Sequence, residues 1–217
     1  MKEIFVAPSI LSADFCEMGK AVAAIEDSGA QWVHCDVMDG LFVPNITFGP
    51  KMVSDIRKIT KLTLDAHLMI VNPERYVERF AAAGADFITV HIEAGDRIRE
   101  ALEKIKACGK KAGLSVKPNT PVSEIAPFLD VLDIVLIMSV EPGFSGQKFI
   151  PHALEKIREA KQLIGDRNIL VQIDGGVNAQ NAAEVLAAGA DSIVAGNAFF
   201  LAADKKAAVR VLKGMNN

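Results

Sequence analysis

The chain has 217 residues, half of them hydrophobic, which is enough for one well-buried core and indicates a single domain. Its formal net charge is −3, with acidic and basic residues mixed along the whole length, so no basic surface suited to nucleic acid is expected. The densest apolar stretch, Ile134–Met138, is far too short to cross a bilayer, and we expect no membrane partner.

Short apolar runs rich in Val and Ile alternate with longer amphipathic segments from one end of the chain to the other. Runs that are apolar on both faces are typical of parallel strands covered by helices. In chain order we predict eight strands: Phe5–Ile10, Trp32–Val37, Leu62–Leu68, Phe87–His91, Ala112–Val116, Ile134–Met138, Ile169–Ile173 and Ser192–Ala195.

Asparagine, proline and glycine mark the helices between these strands. Asn72, which is followed by proline, is predicted to cap one helix, and Asn178 is predicted to cap another over Ala179–Ala188. Gly84 and Gly189 stand where a left-handed residue would end a helix.

These two glycines belong to a weak internal repeat, Ala-Gly-Ala-Asp, at Ala83–Asp86 and Ala188–Asp191. A β/α step repeated about eight times in roughly 200 to 250 residues is the size of a compact TIM barrel. The rival is an open doubly wound sheet, which usually has a G-x-G-x-x-G turn after its first strand. The segment Pro8–Ser12 contains no glycine, so we predict one (β/α)₈ barrel domain over residues 1–217.

Polar side chains gather at the predicted carboxyl ends of the strands, where such barrels carry their chemistry. Side chains alternate across a strand, so His34 and Asp36 share a face at the end of strand two while Cys35 points the other way. His67 ends strand three and Asp174 ends strand seven. If these faces point into the barrel mouth, the two imidazoles and two carboxylates form a set suited to one divalent ion, Zn²⁺, Fe²⁺, Mn²⁺ or Co²⁺.

His91 and Glu93, at the end of strand four, also share a face, but an ordinary structural role explains them nearly as well. We therefore leave both out of the predicted site.

Glycine-bearing loops follow the last three strands and predict an anion site. They contain Gly143 and Gly146, then Gly175-Gly176, then Gly196. Glycine lets backbone N–H groups approach an anion closely. The loops after strands seven and eight are also the usual phosphate site of this fold.

Six segments in the expected order, covering nearly the whole chain, resemble the ribulose-phosphate 3-epimerase family: Ala7–Asp14, His34–Gly40, Phe42–Gly49, Asp65–Met69, Met138–Phe149 and Asp174–Val177. The resemblance implies an isomerase of the pentose phosphate pathway that converts D-ribulose 5-phosphate to D-xylulose 5-phosphate. It also implies that one divalent metal ion is held by His34, Asp36, His67 and Asp174, and that Asp36 and Asp174 are the acid and base.

The same resemblance assigns the contacts with a sugar phosphate. Ser9 and His67 would touch the substrate, as would Asp174, beneath a soft cap of Met38, Met69 and Met138. The phosphate would be held by the backbone of Gly143, Phe144, Ser145 and Gly146, of Gly175 and Gly176, and of Gly196 and Asn197. Glu141, Ser145 and Asn197 depart from the residues that many family members carry, and these departures bear on fine specificity, not on the reaction.

Epimerisation at C3 removes the proton next to the C2 carbonyl and returns one to the opposite face. Strands two and seven lie on different sides of a barrel, so Asp36 and Asp174 could flank a bound sugar. We expect Asp36 to be the base and Asp174 the acid in the forward direction, with the metal stabilising the enediolate.

Three alternatives stay open. A 3-epimerase of a six-carbon ketose phosphate, such as allulose 6-phosphate, would use the same chemistry. Lys117, at the end of strand five, could serve a Schiff-base aldolase, although a loop lysine beside proline is the simpler interpretation. A barrel without activity that binds a metabolite or protein is the third.

The compartment follows from the three widely spaced cysteines, Cys16, Cys35 and Cys108, which offer no disulfide framework. The first five residues carry charge immediately and lack the apolar run of a signal peptide. We expect a cytoplasmic protein, and the family resemblance suggests a homo-oligomer, either a dimer or a hexamer.

Overall fold

The structure, a computed structural model, describes residues 3–215. Apolar runs flanked by polar segments form eight strands, each covered on its outer face by a following helical segment. The strands are β1 Phe5–Pro8, β2 Trp32–Met38, β3 Thr63–Met69, β4 Phe87–His91, β5 Lys111–Val116, β6 Ile134–Met138, β7 Leu170–Asp174 and β8 Ser192–Ala195.

All pairings are parallel, in the order β1-β8-β7-β6-β5-β4-β3-β2. The two ends of this sheet meet at a parallel bridge between Ser9 and His34, which brings β1 beside β2. At the other end of the same seam the rings of Phe5 and Trp32 stack with centroids 5.3 Å apart. The predicted TIM (β/α)₈ barrel is therefore confirmed.

Eight α-helices lie within the described residues: α1 Met18–Ser28, α2 Pro50–Ile59, α3 Val77–Ala83, α4 Ile98–Ala107, α5 Ala153–Ile164, α6 Ala182–Ala188, α7 Asn197–Phe200 and α8 Lys205–Leu212. The connection from β5 to β6 is a 3-10 segment, Val122–Phe128, which has Pro127 inside it. Over residues 3–215, no helix combines the length and the apolar character that a bilayer crossing demands.

The backbone conformation confirms some predicted ends of helices and strands and contradicts others. Gly84 and Gly189 end α3 and α6 in the left-handed region, with φ of 101° and 116°, as predicted. Ile10 was wrongly placed in a strand, because it begins a short 3-10 turn. The predicted caps were also wrong. Asn72 has φ 51° and makes no side-chain cap. Asn178 lies about one turn before α6, and its side-chain Oδ1 accepts the N–H of Gln180 within the loop.

The internal repeat has a structural meaning at the amino ends of the strands. An aspartate directly before β4, β6 and β8 accepts a hydrogen bond from a backbone N–H of the strand before it. The pairs are Asp86 with Leu64, Asp133 with Ala112 and Asp191 with Val171, at 2.8, 2.8 and 2.7 Å. We call Asp86, Asp133 and Asp191 the aspartate brackets, since each ties two strands together through one carboxylate.

A basic side chain from a helix neutralises each aspartate bracket. The three pairs are Arg57 of α2 with Asp86, Lys106 of α4 with Asp133, and Lys161 of α5 with Asp191. The brackets thus join helix and sheet at the end of the barrel opposite the strand termini that were predicted to be functional.

Candidate active site

A cavity of about 360 Å³ opens at the carboxyl ends of the strands. Of the residues predicted to contact substrate, all except His67 line it: Ser9, Met38, Met69, Met138, Gly143, Phe144, Ser145, Gly146, Asp174, Gly175, Gly176, Gly196 and Asn197. Asp36 lines it as well. His67 lies just beneath the surface of the cavity, fully buried.

The four predicted metal ligands converge at the floor of this cavity. One ligand atom from each of His34, Asp36, His67 and Asp174 lies within 4.8 Å of the others. Asp36 Oδ1 is 3.3 Å from His34 Nε2 and 3.0 Å from His67 Nδ1. Asp174 Oδ2 is 3.9 and 3.6 Å from the same two nitrogens. Four ligands about 2.1 Å from one Zn²⁺ ion in a tetrahedron would lie roughly 3.4 Å apart, so the set fits a single cation.

A second observation supports that fit. His34 Nε2 is buried and meets no hydrogen-bond partner among the residues that the structure describes, although buried polar atoms are normally paired. The other nitrogen of the ring, Nδ1, contacts Asp65 Oδ2 at 2.7 Å, and Gln172 Nε2 donates to the same oxygen at 2.9 Å. A carboxylate behind a histidine fixes which nitrogen is left for a metal. Asp65 therefore turns Nε2 of His34 toward the cavity floor.

The buried charges affect one another strongly. Burial acts to raise the pKa of Asp36, but the neighbouring His34 and His67 outweigh it and hold this pKa far below its usual range. Burial, together with the nearby Asp36 carboxylate, raises the pKa of Asp174 to about 6. Two carboxylates in one buried site repel each other, and a divalent cation between them would relieve that repulsion.

Strand geometry explains why these side chains point inward. His34 and Asp36 lie two residues apart on β2, and His67 faces Asp36 across the β2–β3 pairing. Cys35, between them, belongs to the core between barrel and helices, as the alternation predicts. Ser9, directly after β1, donates its hydroxyl to Asp36 Oδ2 and so fixes the orientation of that carboxylate.

Glycines shape the far wall of the cavity, where the phosphate was predicted. Gly176 has φ 66°, and a Cβ there would lie 2.5 Å from the backbone nitrogen of Phe149. A Cβ on Gly146 would lie 3.0 Å from Asn197 Nδ2, so the loops after β6 and β8 meet at this point. Because α7 begins at Asn197, its first N–H groups have no acceptor within the helix. Such a wall is suited to a small anion.

The remaining walls are apolar and are held across the barrel mouth. Met38, Met69 and Met138 are 3%, 1% and 2% exposed and line the cavity. The loop after β2 reaches the loop after β6, where Asn45 Nδ2 donates to the carbonyl of Gly143 at 2.8 Å. The cavity is thus apolar on one side, rich in backbone donors on another, and charged at its floor.

Comparisons with known proteins agree with this geometry. A profile of the Ribulose-phosphate 3 epimerase family matches residues 5–200. The chain belongs to this family. It is 53% identical to the ribulose-phosphate 3-epimerase of Synechocystis sp. over 203 residues, which cover 92% of this chain and 88% of that protein. It is 48% identical to the ribulose-phosphate 3-epimerase of Bacillus subtilis, over 97% and 99% of the two chains.

Among solved structures, the 3-hexulose-6-phosphate synthase of Salmonella typhimurium superposes with a TM-score of 0.75 over 98% of each chain. Its sequence identity to this epimerase-family chain is 18%, so this likeness concerns the fold alone.

Sequence reasoning missed some polar groups of this epimerase-family site. Ser12 lines the cavity, and its Oγ has no hydrogen-bond partner within the described part of the chain. A cavity-lining position could not be read from the loop that follows β1, because a loop has no alternating pattern.

Lys117, the residue of the aldolase alternative, does not line the cavity; its Nζ lies 4.0 Å from the ring centroid of Phe42. Glu141, one of the departures, contributes its backbone carbonyl to Gln147 and also stays outside the cavity lining.

His91 and Glu93, which were left out of the predicted site, lie directly behind it. His91 is completely buried and contacts His67 through a nitrogen–nitrogen distance of 2.8 Å. Burial acts to raise the pKa of Glu93, but hydrogen bonds from His91, Thr120 and the Lys117 N–H outweigh it and lower the pKa to about 2.

Proposed function

We propose that this chain interconverts D-ribulose 5-phosphate and D-xylulose 5-phosphate by epimerisation at C3, with one divalent cation held by His34, Asp36, His67 and Asp174. One observation carries the proposal: carboxylates from β2 and β7 enter one cavity beside two histidines, each offering an atom within 4.8 Å of the others. The names of relatives about half identical over nearly the whole chain support the same substrate.

The reaction needs two groups that exchange protons with opposite faces of the sugar. The C3 proton is acidic because it lies next to the C2 carbonyl. In the forward direction Asp36 accepts this proton from one face of C3, and Asp174 donates a proton to the other face. The roles are exchanged in reverse. Ser9, by donating to Asp36 Oδ2, keeps the other oxygen of that carboxylate directed at the floor of the cavity.

A bound divalent cation, Zn²⁺, Fe²⁺, Mn²⁺ or Co²⁺, supplies positive charge that stabilises the negative charge developing on the sugar oxygens. The chain's own groups do the rest. The three buried methionines keep water away from the reacting carbons. The backbones of Gly143–Gly146, Gly175-Gly176 and Gly196-Asn197 hold the phosphate at the far wall.

The proposal is tested by replacing each carboxylate with its amide. Asp36→Asn and Asp174→Asn should each lower kcat by about 10²–10⁴-fold, because each removes a proton carrier. Asp55→Asn is the control, since Asp55 lies on exposed α2 and pairs only with surface lysines in the described structure. A coupled assay that consumes xylulose 5-phosphate measures turnover. Either site variant retaining more than about a tenth of wild-type activity would contradict the assignment.

Proton exchange provides the second measurement. In heavy water, solvent deuterium should appear at C3 of the product and of recovered substrate, because the carboxylates exchange their protons with solvent. Product free of deuterium would argue against proton transfer by two bases. Turnover of five- and six-carbon ketose phosphates, measured side by side, decides between the pentose substrate and a six-carbon one.

Two broader parts of the proposal concern the whole protein. The three cysteines are free thiols, which supports a reducing, cytoplasmic compartment. The family resemblance supports a homo-oligomer, and sedimentation velocity of the purified chain would distinguish monomer, dimer and hexamer.

A further inference from the structure

A line of buried polar groups runs from the metal-site histidine of β3 into the wall of the barrel. His91, at the end of β4, places its Nε2 at 2.8 Å from His67 Nε2 and its Nδ1 at 3.2 Å from Glu93 Oε2. The rings of His67 and His91 are 5.0 Å apart between centroids and 28° apart in plane. Neither His91 nor Glu93 lines the cavity, and the proton transfers proposed above use neither residue.

The carboxylate at the outer end determines where the protons lie. Glu93 Oε1 accepts the N–H of Lys117 at 2.8 Å and the hydroxyl of Thr120. The lowered pKa of Glu93 keeps this carboxyl group ionised, and an ionised carboxylate accepts hydrogen bonds on both oxygens. His91 Nδ1 must therefore carry the proton of the contact with Glu93. A neutral imidazole has one donor and one acceptor nitrogen, so His91 Nε2 is left to accept from His67 Nε2.

This arrangement leaves His67 with its lone pair on Nδ1. That nitrogen is 3.0 Å from Asp36 Oδ1 and 3.6 Å from Asp174 Oδ2, at the centre of the proposed cation site. The two histidine ligands are thus oriented differently. Asp65 contacts His34 directly, whereas His67 is linked to its carboxylate through a second histidine.

The outer end of the line is held in place by a lysine from another helix. Lys156 of α5 is 2% exposed, and its Nζ donates to the carbonyls of Lys117, Pro118 and Thr120 at 2.6, 2.9 and 2.8 Å. The same short loop supplies both groups that donate to Glu93 Oε1. Glu93 is therefore held rigidly enough to define the direction of the whole line.

We propose that His91 and Glu93 are positioning residues that hold His67 in the Nε2–H tautomer and so present its Nδ1 to a divalent cation. This inference rests on the cation site of the proposed function and adds two residues to it. Partners behind a metal-binding histidine typically account for 10–100-fold in metal affinity.

Two substitutions break the line at different points. His91→Phe keeps a flat ring but leaves the N–H of His67 without an acceptor. Glu93→Gln keeps the shape of the side chain but changes its polarity. Because the Lys117 N–H requires the amide oxygen, the amide nitrogen of the new side chain faces His91 Nδ1, where two donors now oppose each other.

Thr89→Val is the matched control. Thr89 lies on β4 two residues before His91, so it has the same parity, and it is completely buried. Its hydroxyl has no hydrogen-bond partner within residues 3–215, and valine has nearly the same shape. This control reports how much a buried substitution in β4 changes Co²⁺ affinity when the hydrogen bonds among His67, His91 and Glu93 are left intact.

The readout is binding of Co²⁺ to the full-length chain, measured by competition with a chromophoric chelator. We expect the Kd for Co²⁺ to rise about 10–100-fold in His91→Phe and Glu93→Gln, and to change less than about twofold in Thr89→Val. Equal Kd values for Glu93→Gln and Thr89→Val would overturn the positioning role while the proposed epimerase stands. Absence of Co²⁺ binding by the wild type would refute the cation site itself, whatever the epimerase assay gives.

A measurement on the wild type alone guards against variants that fail to fold. Long-range ¹H–¹⁵N spectra of the Zn²⁺-loaded protein report the tautomer of each histidine. We expect a proton on Nε2 of His67 and on Nδ1 of His91. A proton on His67 Nδ1, or on His91 Nε2, would overturn the inference directly.

Discussion

The interior of the barrel leaves no room for a side chain at one position of β5. A Cβ built on Gly113 would lie 2.2 Å from Thr89 Oγ1 and 2.7 Å from Ile134 Cγ2, both on neighbouring strands. Around a Cβ built on Gly19, on the surface of α1, no heavy atom of the described residues lies within 4 Å apart from its chain neighbours and the backbone of its own helix. Glycine is needed at the first position for space, and at the second nothing requires it.

We therefore expect opposite effects from the same substitution. Gly113→Ala should lower the free energy of unfolding by about 1–3 kcal/mol, because the packed interior must shift to admit a methyl group. Gly19→Ala should raise it by about 0.5–1 kcal/mol, since alanine favours a helix. Urea unfolding followed by circular dichroism measures both. A stabilised Gly113→Ala variant would show that this part of the barrel is less tightly packed than described.

Reasoning from the sequence predicted the four side chains that converge at the cavity floor. It left out the polar side chains packed behind them. His34 and Asp36 could be placed because alternation along a strand fixes their shared face. Partners in neighbouring strands cannot be found this way. His91 and Glu93 were expected to share a face. The register of β3 and β4 sets His67 beside Thr89, two residues before His91 on the same face, and the side-chain positions then bring His91 to His67.

At the scale of elements, the aspartate brackets join three pairs of consecutive strands, β3 with β4, β5 with β6 and β7 with β8. Asp133 accepts the N–H of Ala112 and is paired with Lys106 and Lys111. Burial acts to raise the pKa of Asp133, but the hydrogen bonds from Lys106 and Ala112 outweigh it and lower this pKa below its usual value. Folding therefore favours the ionised form of Asp133.

The direction of this shift predicts how stability changes with pH. A carboxyl group with a lowered folded pKa stabilises the protein above its unfolded pKa of about 3.9, and loses that contribution as the pH falls through the folded value. Asp133→Asn should cost about 1 kcal/mol at pH 7. The difference from wild type should shrink as the pH falls below about 4 in urea titrations. A difference that stays constant with pH would mean that charge on Asp133 contributes nothing.

The strands were predicted closely, because buried parallel strands are continuous apolar runs that few other segments resemble. The ends of helices were harder. Asn178 was taken as a cap for a helix starting at Ala179, but its loop forms part of the cavity wall, and α6 begins only at Ala182. At this position the loop conformation is the one that forms the cavity wall, not the one that local capping preference favours.

At the scale of the whole molecule, the proposed cation should stabilise the folded chain. A ligand that binds only the folded state contributes about 2.7 kcal/mol when it is present at 100 times its Kd. For a chain of this length that corresponds to about 5–10 °C in Tm. Differential scanning fluorimetry with Zn²⁺ or Co²⁺, reversed by a chelator, measures the shift.

The control for that measurement is Asp174→Asn, which lacks one of the four ligands and should shift little. An equal shift in the variant and in the wild type would place the stabilising cation elsewhere on the protein.

The seam between β1 and β2 is closed near the cavity by the bridge from Ser9 to His34, and Ser9 also donates to Asp36. The contact that closes the barrel between β1 and β2 is thus also part of the candidate active site. Any fluctuation that parts these two strands dismantles the centre while most helices and strands stay formed. For this molecule, gentle warming or mild denaturant would abolish turnover before the far-ultraviolet spectrum reports a loss of structure.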